Sequence, residues 1–159
     1  MSWFRRNVRR FTEAVSFRFF MEGVRELHHY DKEADEPQPD EELLNLHLKN
    51  AEKHLRECVE TYPDDLLPRY YFGIVLGLKA QVEQARELRS KLEGKPPEAD
   101  AISPDTLFVQ AAKHFEIIAQ RVGGGKDGTD LREFSQYNRA QALARTTPVR
   151  KPATIKGDR

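Results

Sequence analysis

Two nine-residue segments of this chain share one pattern, and that recurrence narrows the folds open to it more than any other feature. Asn50-Ala51-Glu52-Lys53-His54-Leu55-Arg56-Glu57-Cys58 aligns with Gln110-Ala111-Ala112-Lys113-His114-Phe115-Glu116-Ile117-Ile118. The shared elements are an alanine, a Lys-His pair two residues on, and then a large apolar residue. Arg18-Phe19-Phe20-Met21 is echoed in the same way by Arg69-Tyr70-Tyr71-Phe72. Each early echo is followed, after an irregular insert, by a late one. The pattern reads as a duplicated helix–turn–helix unit, in which a lone helix pair buries too little apolar surface and neighbours must stack.

Periodicity predicts an all-α chain of about five helices. Phe4, Val8, Phe11 and Val15 recur at helical spacing, and Phe17, Phe20, Val24 and Leu27 form a second stripe displaced around the axis. One long helix that changes its buried side, or two helices with a break, would both produce this. Residues 31–42 are acidic and contain Pro37 and Pro39, so they read as a linker ending at the cap residue Asp40. A second helix is expected from about Glu41 to Thr61, on the stripe Leu44, Leu48, Ala51, Leu55 and Cys58. A third opens near Leu67, with Pro68 in its first turn, and reaches Leu92. Residues 93–103 form a loop. Ser103-Pro104 then starts a fourth helix, with Ser103 as cap, which the Gly-rich loop 123–129 terminates. A fifth is expected from about Asp130 to Arg145, before a basic tail, 146–159, whose composition points to disorder.

The repeated residues resemble the tetratricopeptide repeat. That family places a small residue on its second helix, a large apolar residue four later, a small or apolar residue three after that, and a proline five further on. Ala51, Leu55, Cys58 and Pro63 stand at those places. The next first helix should carry a large apolar residue, a glycine and a further apolar residue, and Phe72, Gly73 and Leu76 match. Ala111, Phe115 and Ile118 continue the pattern in the second unit, and Tyr137-Asn138-Arg139-Ala140 with Leu143 is similar to the first helix of a third. The small residue lets two backbones approach and the large one fills the adjoining gap. The chain departs from the family where Arg69 replaces the usual aromatic, and where inserts between paired helices break the regular period. The first unit matches only around Glu22 and Gly23. The resemblance covers residues 17–145 and implies a helical-hairpin array wound into a short right-handed superhelix. Its first helices would line a groove for a partner peptide or helix, with Tyr70 and Ile74 in it and Arg69 and Phe19 as weaker candidates.

The chain has no formal net charge, yet both ends are basic. Residues 1–19 hold Arg5, Arg6, Arg9, Arg10 and Arg18 against Glu13, and residues 144–159 hold Arg145, Arg150, Lys151, Lys156 and Arg159 against Asp158. Residues 1–16 read as a basic amphipathic helix bearing Trp3, Phe4, Arg5, Arg6, Arg9, Arg10 and Phe11. Three roles are open to it: a cap on the repeats, insertion into a partner's groove, or contact with an anionic membrane surface. The acidic body argues against nucleic acid. Cys58 is the single cysteine, which fits a reducing, cytoplasmic setting.

Signals for chemistry are weak. His47, His54 and Cys58 share a helix face, and His28-His29 lie near Asp31, but no CxxC accompanies them, so no metal is expected. Gly123-Gly124-Gly125-Lys126-Asp127-Gly128-Thr129 has Asp127 where a phosphate-binding loop needs Ser or Thr, and it follows a helix. The carboxylates of 31–42 lack the order of a calcium loop. No catalytic residue and no cofactor is nominated. The sequence points to a non-catalytic adaptor that binds a protein partner, as a subunit of a larger assembly or a homo-oligomer. The alternative is a peripheral membrane or assembly subunit acting through its basic N-terminal helix.

Overall fold

In the computed structural model, residues 3–96, 98–99 and 101–146 are described, with the side chains of 3–16, 126 and 127 excepted. Among these residues the chain is all-helical, with five helices and no strand: α1 Trp3–Ala34, α2 Glu41–Thr61, α3 Leu66–Leu92, α4 Pro104–Arg121 and α5 Lys126–Ala144. Consecutive helices pack antiparallel, α1 on α2, α2 on α3, α3 on α4 and α4 on α5, while α1 and α5 each only brush α3.

Local chemistry sets most of the boundaries. α1 is a single helix that runs through Asp31–Ala34, so the expected linker shrinks to residues 35–40. The first proline is Pro37, so nothing in 31–34 blocks the backbone, and a helix continues until its backbone is blocked. Asp40 caps α2, its carboxylate accepting hydrogen bonds from the Glu42 and Leu43 amides at 2.9 and 3.2 Å. Its own amide donates to Glu33 Oε1 at 2.7 Å, tying the end of α1 to the start of α2. α3 closes in a Schellman turn: Gly94, at φ +69°, donates to the Lys91 carbonyl, and Lys95 donates to that of Ser90. Ser103 stands at the cap position of α4 without a side-chain cap bond, and Pro104 opens the helix.

The Gly-rich segment departs from its expected role. α5 begins at Lys126, inside the stretch read as a loop. Gly125, at φ +110°, turns the chain, and its carbonyl accepts from both the Thr129 amide and the Thr129 hydroxyl at 3.0 Å. Gly128 lies so close to the Gly123 carbonyl that a β-carbon there would collide with it. A glycine run suggests flexibility by propensity, but here the crossing of chain segments requires it. Arg132 secures the corner, donating to the Ala119 and Val122 carbonyls at 3.3 and 2.9 Å and satisfying acceptors that α4 leaves open. Residues 147–159, which include most of the basic tail, lie outside the described residues.

One core runs through the stack. Ala51, Leu55, Cys58, Phe72, Gly73, Leu76, Ala111, Phe115 and Ile118 are all buried in it. The two hairpins close by the same device. A β-carbon at Gly23 would lie 2.7 Å from Leu55 Cγ, and one at Gly73 would lie 2.8 Å from Phe115 Cζ. Each hairpin therefore presses a large second-helix side chain onto bare first-helix backbone. This match sets Gly23 against Gly73 and moves the first-helix register by one residue from the Arg-aromatic echo. Closeness of approach, rather than similarity of aromatics, defines equivalent positions.

Around those contacts the hairpins differ in polarity. In the first, His47 Nδ1 lies 2.7 Å from Glu26 Oε2, and His54 Nδ1 lies 3.4 Å from Glu22 Oε2 without hydrogen-bond geometry. In the second, the positions matching Glu26 and His47 are Leu76 and Leu107, both buried in the core. The ring of His114, which matches His54, meets the Phe72 ring edge-on at 4.9 Å.

Candidate functional site

α4 keeps α3 and α5 apart, because both pack on it and scarcely touch each other. The gap is a cleft of about 270 Å³. Its α3 wall is Gly73, Ile74, Gly77, Leu78 and Gln81; its floor is Phe108 and Phe115 of α4; its α5 wall is Tyr137, Asn138, Gln141, Ala142 and Arg145. Gly77 leaves the α3 wall bare where the cleft opens. A β-carbon there would meet nothing within 4 Å, one turn away from Gly73, where the backbone is closely covered. Two glycines one turn apart thus serve opposite purposes.

Two hydrogen bonds hold the walls at a set distance. Asn138 Nδ2 donates to the Tyr70 hydroxyl at 3.0 Å, and Gln84 Nε2 donates to the Arg145 carbonyl at 3.3 Å. Tyr70 also meets Phe115 and Tyr71 in edge-on ring contacts at 5.7 and 5.5 Å. Burial raises its phenol pKa against a smaller opposing effect of the Asn138 bond, so the hydroxyl is neutral at physiological pH. Tyr137, 63% exposed, stands at the cleft edge. The lining therefore offers apolar floor, amide donors and acceptors, an exposed aromatic ring and one guanidinium.

Of the residues expected to line a groove, Ile74 is in the cleft and Tyr70 braces it from beneath. Phe19 is half-buried on α1, away from the cleft. Arg69 is a correction. It is buried, with Nη2 donating to the Pro63 carbonyl at 3.1 Å and Nη1 directed at His114 Nδ1 at 3.2 Å. A guanidinium has only donors, so His114 Nδ1 accepts and its ring is neutral. Burial chiefly, then the positive charges of Arg69 and Arg56, lower the His114 pKa to about 4. Only part of the α5 segment likened to a third repeat faces inward. Tyr137 and Leu143 are exposed, whereas Leu131, Ser135, Asn138 and Ala142 turn inward, because α5 is covered on one face only.

Sequence reasoning missed Gly77, Gln81, Asn138, Gln141 and Arg145. The signal present was the second glycine one turn after Gly73 within a helix, where it weakens the helix and needs a spatial reason. The side chains of Trp3, Phe4, Arg5, Arg6, Arg9, Arg10 and Phe11 lie outside the described residues, although their backbone is helical.

The helix face shared by His47, His54 and Cys58 resolves into separate interactions. His47 and His54 approach different glutamates, and His29 stacks on His47 at 5.4 Å. Cys58 is buried, and desolvation chiefly, then Glu57 and Asp65, push its thiol up to about 11. Among the described residues no three His, Cys, Asp or Glu side chains converge as metal ligands, and no helix is long and apolar enough to cross a membrane. The chain matches no family model, and neither a curated protein nor a solved structure matches it.

Proposed function

We propose that this chain is a non-catalytic adaptor of the tetratricopeptide-like kind, which binds a segment of a partner protein in the cleft between α3 and α5. The open space over Gly77 carries this reading. The cleft volume of about 270 Å³ falls just under the range of about 300–1,000 Å³ typical of small-molecule sites, and suits one or two anchoring side chains of a peptide. The partner segment would place an apolar side chain over Phe108 and Phe115, amides against Asn138 and Gln141, and an acidic group at Arg145. An exposed tyrosine and an arginine at the edge suit binding, since such residues supply large contact area. The paired glycine contacts at Leu55 and Phe115 support a repeated hairpin and, with it, a short right-handed array. A cytoplasmic adaptor within a larger assembly or homo-oligomer belongs to the same reading.

Affinity purification of the intact chain, compared with Gly77→Leu and Tyr137→Ala, tests it. Gly77→Leu starts its side chain from open space into the cleft and removes a mid-helix glycine, so the fold should survive. A partner recovered with the native chain should fall at least about ten-fold with each variant, the loss expected from one weakened anchor of about 1.4 kcal/mol. Equal recovery of every partner with both variants would remove the cleft from consideration.

A further inference from the structure

The first half of α1 carries a feature that the cleft does not use. Contacts between α1 and α2 pair Glu26 with His47, Gly23 with Leu55 and Glu22 with His54. In this antiparallel register the end of α2 at Thr61 falls opposite about position 15 of α1. α1 nevertheless begins at Trp3, about twelve residues before that level. They hold Arg5, Arg6, Arg9 and Arg10 with a single acid, Glu13.

On this helix, positions 4, 8, 11 and 15 form one stripe of Phe, Val, Phe and Val, and the arginines occupy the opposite arc. The stripe is rotated by roughly a third of a turn from Phe20, Gly23 and Leu27, through which α1 joins the core. It therefore does not extend the buried face of the domain. The arc that would do so is occupied by positions 5 and 9, both arginine.

We propose that the first half of α1, residues 3–16, lies on an anionic phospholipid surface, with the Phe4, Val8, Phe11 and Val15 stripe at the acyl–headgroup boundary and the arginines on lipid phosphates. Charge decides between occupants. A second copy packed stripe to stripe would leave both sets of four arginines on the outer faces without an anionic partner, and a nucleic acid would leave the apolar stripe unused. A leaflet of acidic lipids satisfies both arcs at once. The acidic residues 31–42 do not oppose this contact. They lie about 40 Å along α1 from Arg5, several times the roughly 8 Å screening length at physiological salt. The inference is independent of the cleft reading.

The test uses the full-length chain with vesicles of phosphatidylcholine containing phosphatidylserine, and with vesicles of phosphatidylcholine alone. Trp3, the single tryptophan, reports directly from this segment. Co-sedimentation should favour the anionic vesicles at least about ten-fold and weaken with salt, and Trp3 emission should shift to the blue on binding. Replacing Arg5, Arg6, Arg9 and Arg10 with glutamine should weaken binding by more than about a hundred-fold, at roughly five-fold per arginine. Phe4→Ser with Phe11→Ser should weaken it as well. Urea midpoints equal to that of the native chain would show that these variants keep the fold. Three results would each overturn the proposal: no sedimentation with anionic vesicles at low salt, unmoved Trp3 emission, or undiminished binding by the glutamine variant. Lipid-free self-association abolished by the two serine substitutions would also overturn it, assigning the stripe to a second copy.

Discussion

Substituting alanine at Gly73 and, separately, at Gly77 isolates the contact that closes the second hairpin. Both glycines lie inside α3, one turn apart, so both changes recover a similar helix propensity of up to about 1 kcal/mol. Their surroundings differ. The new methyl at Gly73 would stand 2.8, 2.9 and 3.2 Å from three carbons of the Phe115 ring, whereas the one at Gly77 meets open space. Carbon atoms attract best at about 3.5–4.0 Å, so the ring must retreat by several tenths of an ångström. Phe115 is 2% exposed and its ring also meets Tyr70 edge-on, which limits where it can retreat. Overpacking of this kind costs about 1–3 kcal/mol. Gly77→Ala should then be more stable than the native chain by up to about 1 kcal/mol, and Gly73→Ala less stable than Gly77→Ala by about 1–3 kcal/mol. Urea denaturation followed by circular dichroism measures both, provided the slopes with denaturant agree. Adding Phe115→Leu should cost less in the Gly73→Ala background than in the native chain, the coupling expected of touching residues. Equal shifts for the two alanine variants, within about 0.5 kcal/mol, would refute the close-approach argument.

Three further outcomes follow from buried polar groups. His114 has a folded pKa of about 4 against 6.5 when unfolded, so between those values the unfolded chain binds the extra proton. Its contribution to stability is whole above pH 6.5 and is lost as pH falls toward 4. The slope is at most about 1.4 kcal/mol per pH unit, less because the ring is partly exposed, and His114→Gln should flatten it in denaturation series across that window. Ser135 is fully buried and its hydroxyl has no hydrogen-bond partner among the described residues. Ser135→Ala should therefore stabilise by about 0.5–1 kcal/mol in the same assay, and destabilisation would reveal a partner. Cys58, with its thiol raised to about 11 and 1% exposed, should react with a thiol reagent only as fast as the chain unfolds. Rapid labelling of the folded chain would contradict its burial.

Much of the helical layout was legible because its causes are local. Asp40 next to a run of helix formers announces a start, Pro63 and Gly94 announce ends, and the stripe from Leu48 to Cys58 is one face of one helix. The helical boundaries within 31–34 and 123–129 were misread for the same reason. Acidic and glycine-rich composition lowers helix propensity, yet no residue of 31–34 blocks a helix, and the close approach at Gly128 demands glycine. The site was only partly readable. Ile74, expected in a groove, lines the cleft, whereas Arg69 is buried away from it. Its burial depends on His114, 45 residues away in sequence, and on a turn carbonyl.

By itself, the sequence determined that the chain is helical and where most helices begin and end, because propensity, capping and periodicity act within a few residues. The tertiary structure alone decided which glycine is pressed against a partner and which faces open space. Gly73 and Gly77 are alike in a string of letters. They differ because Phe115 on α4 covers one of them, and because α4 holds α5 away from the other.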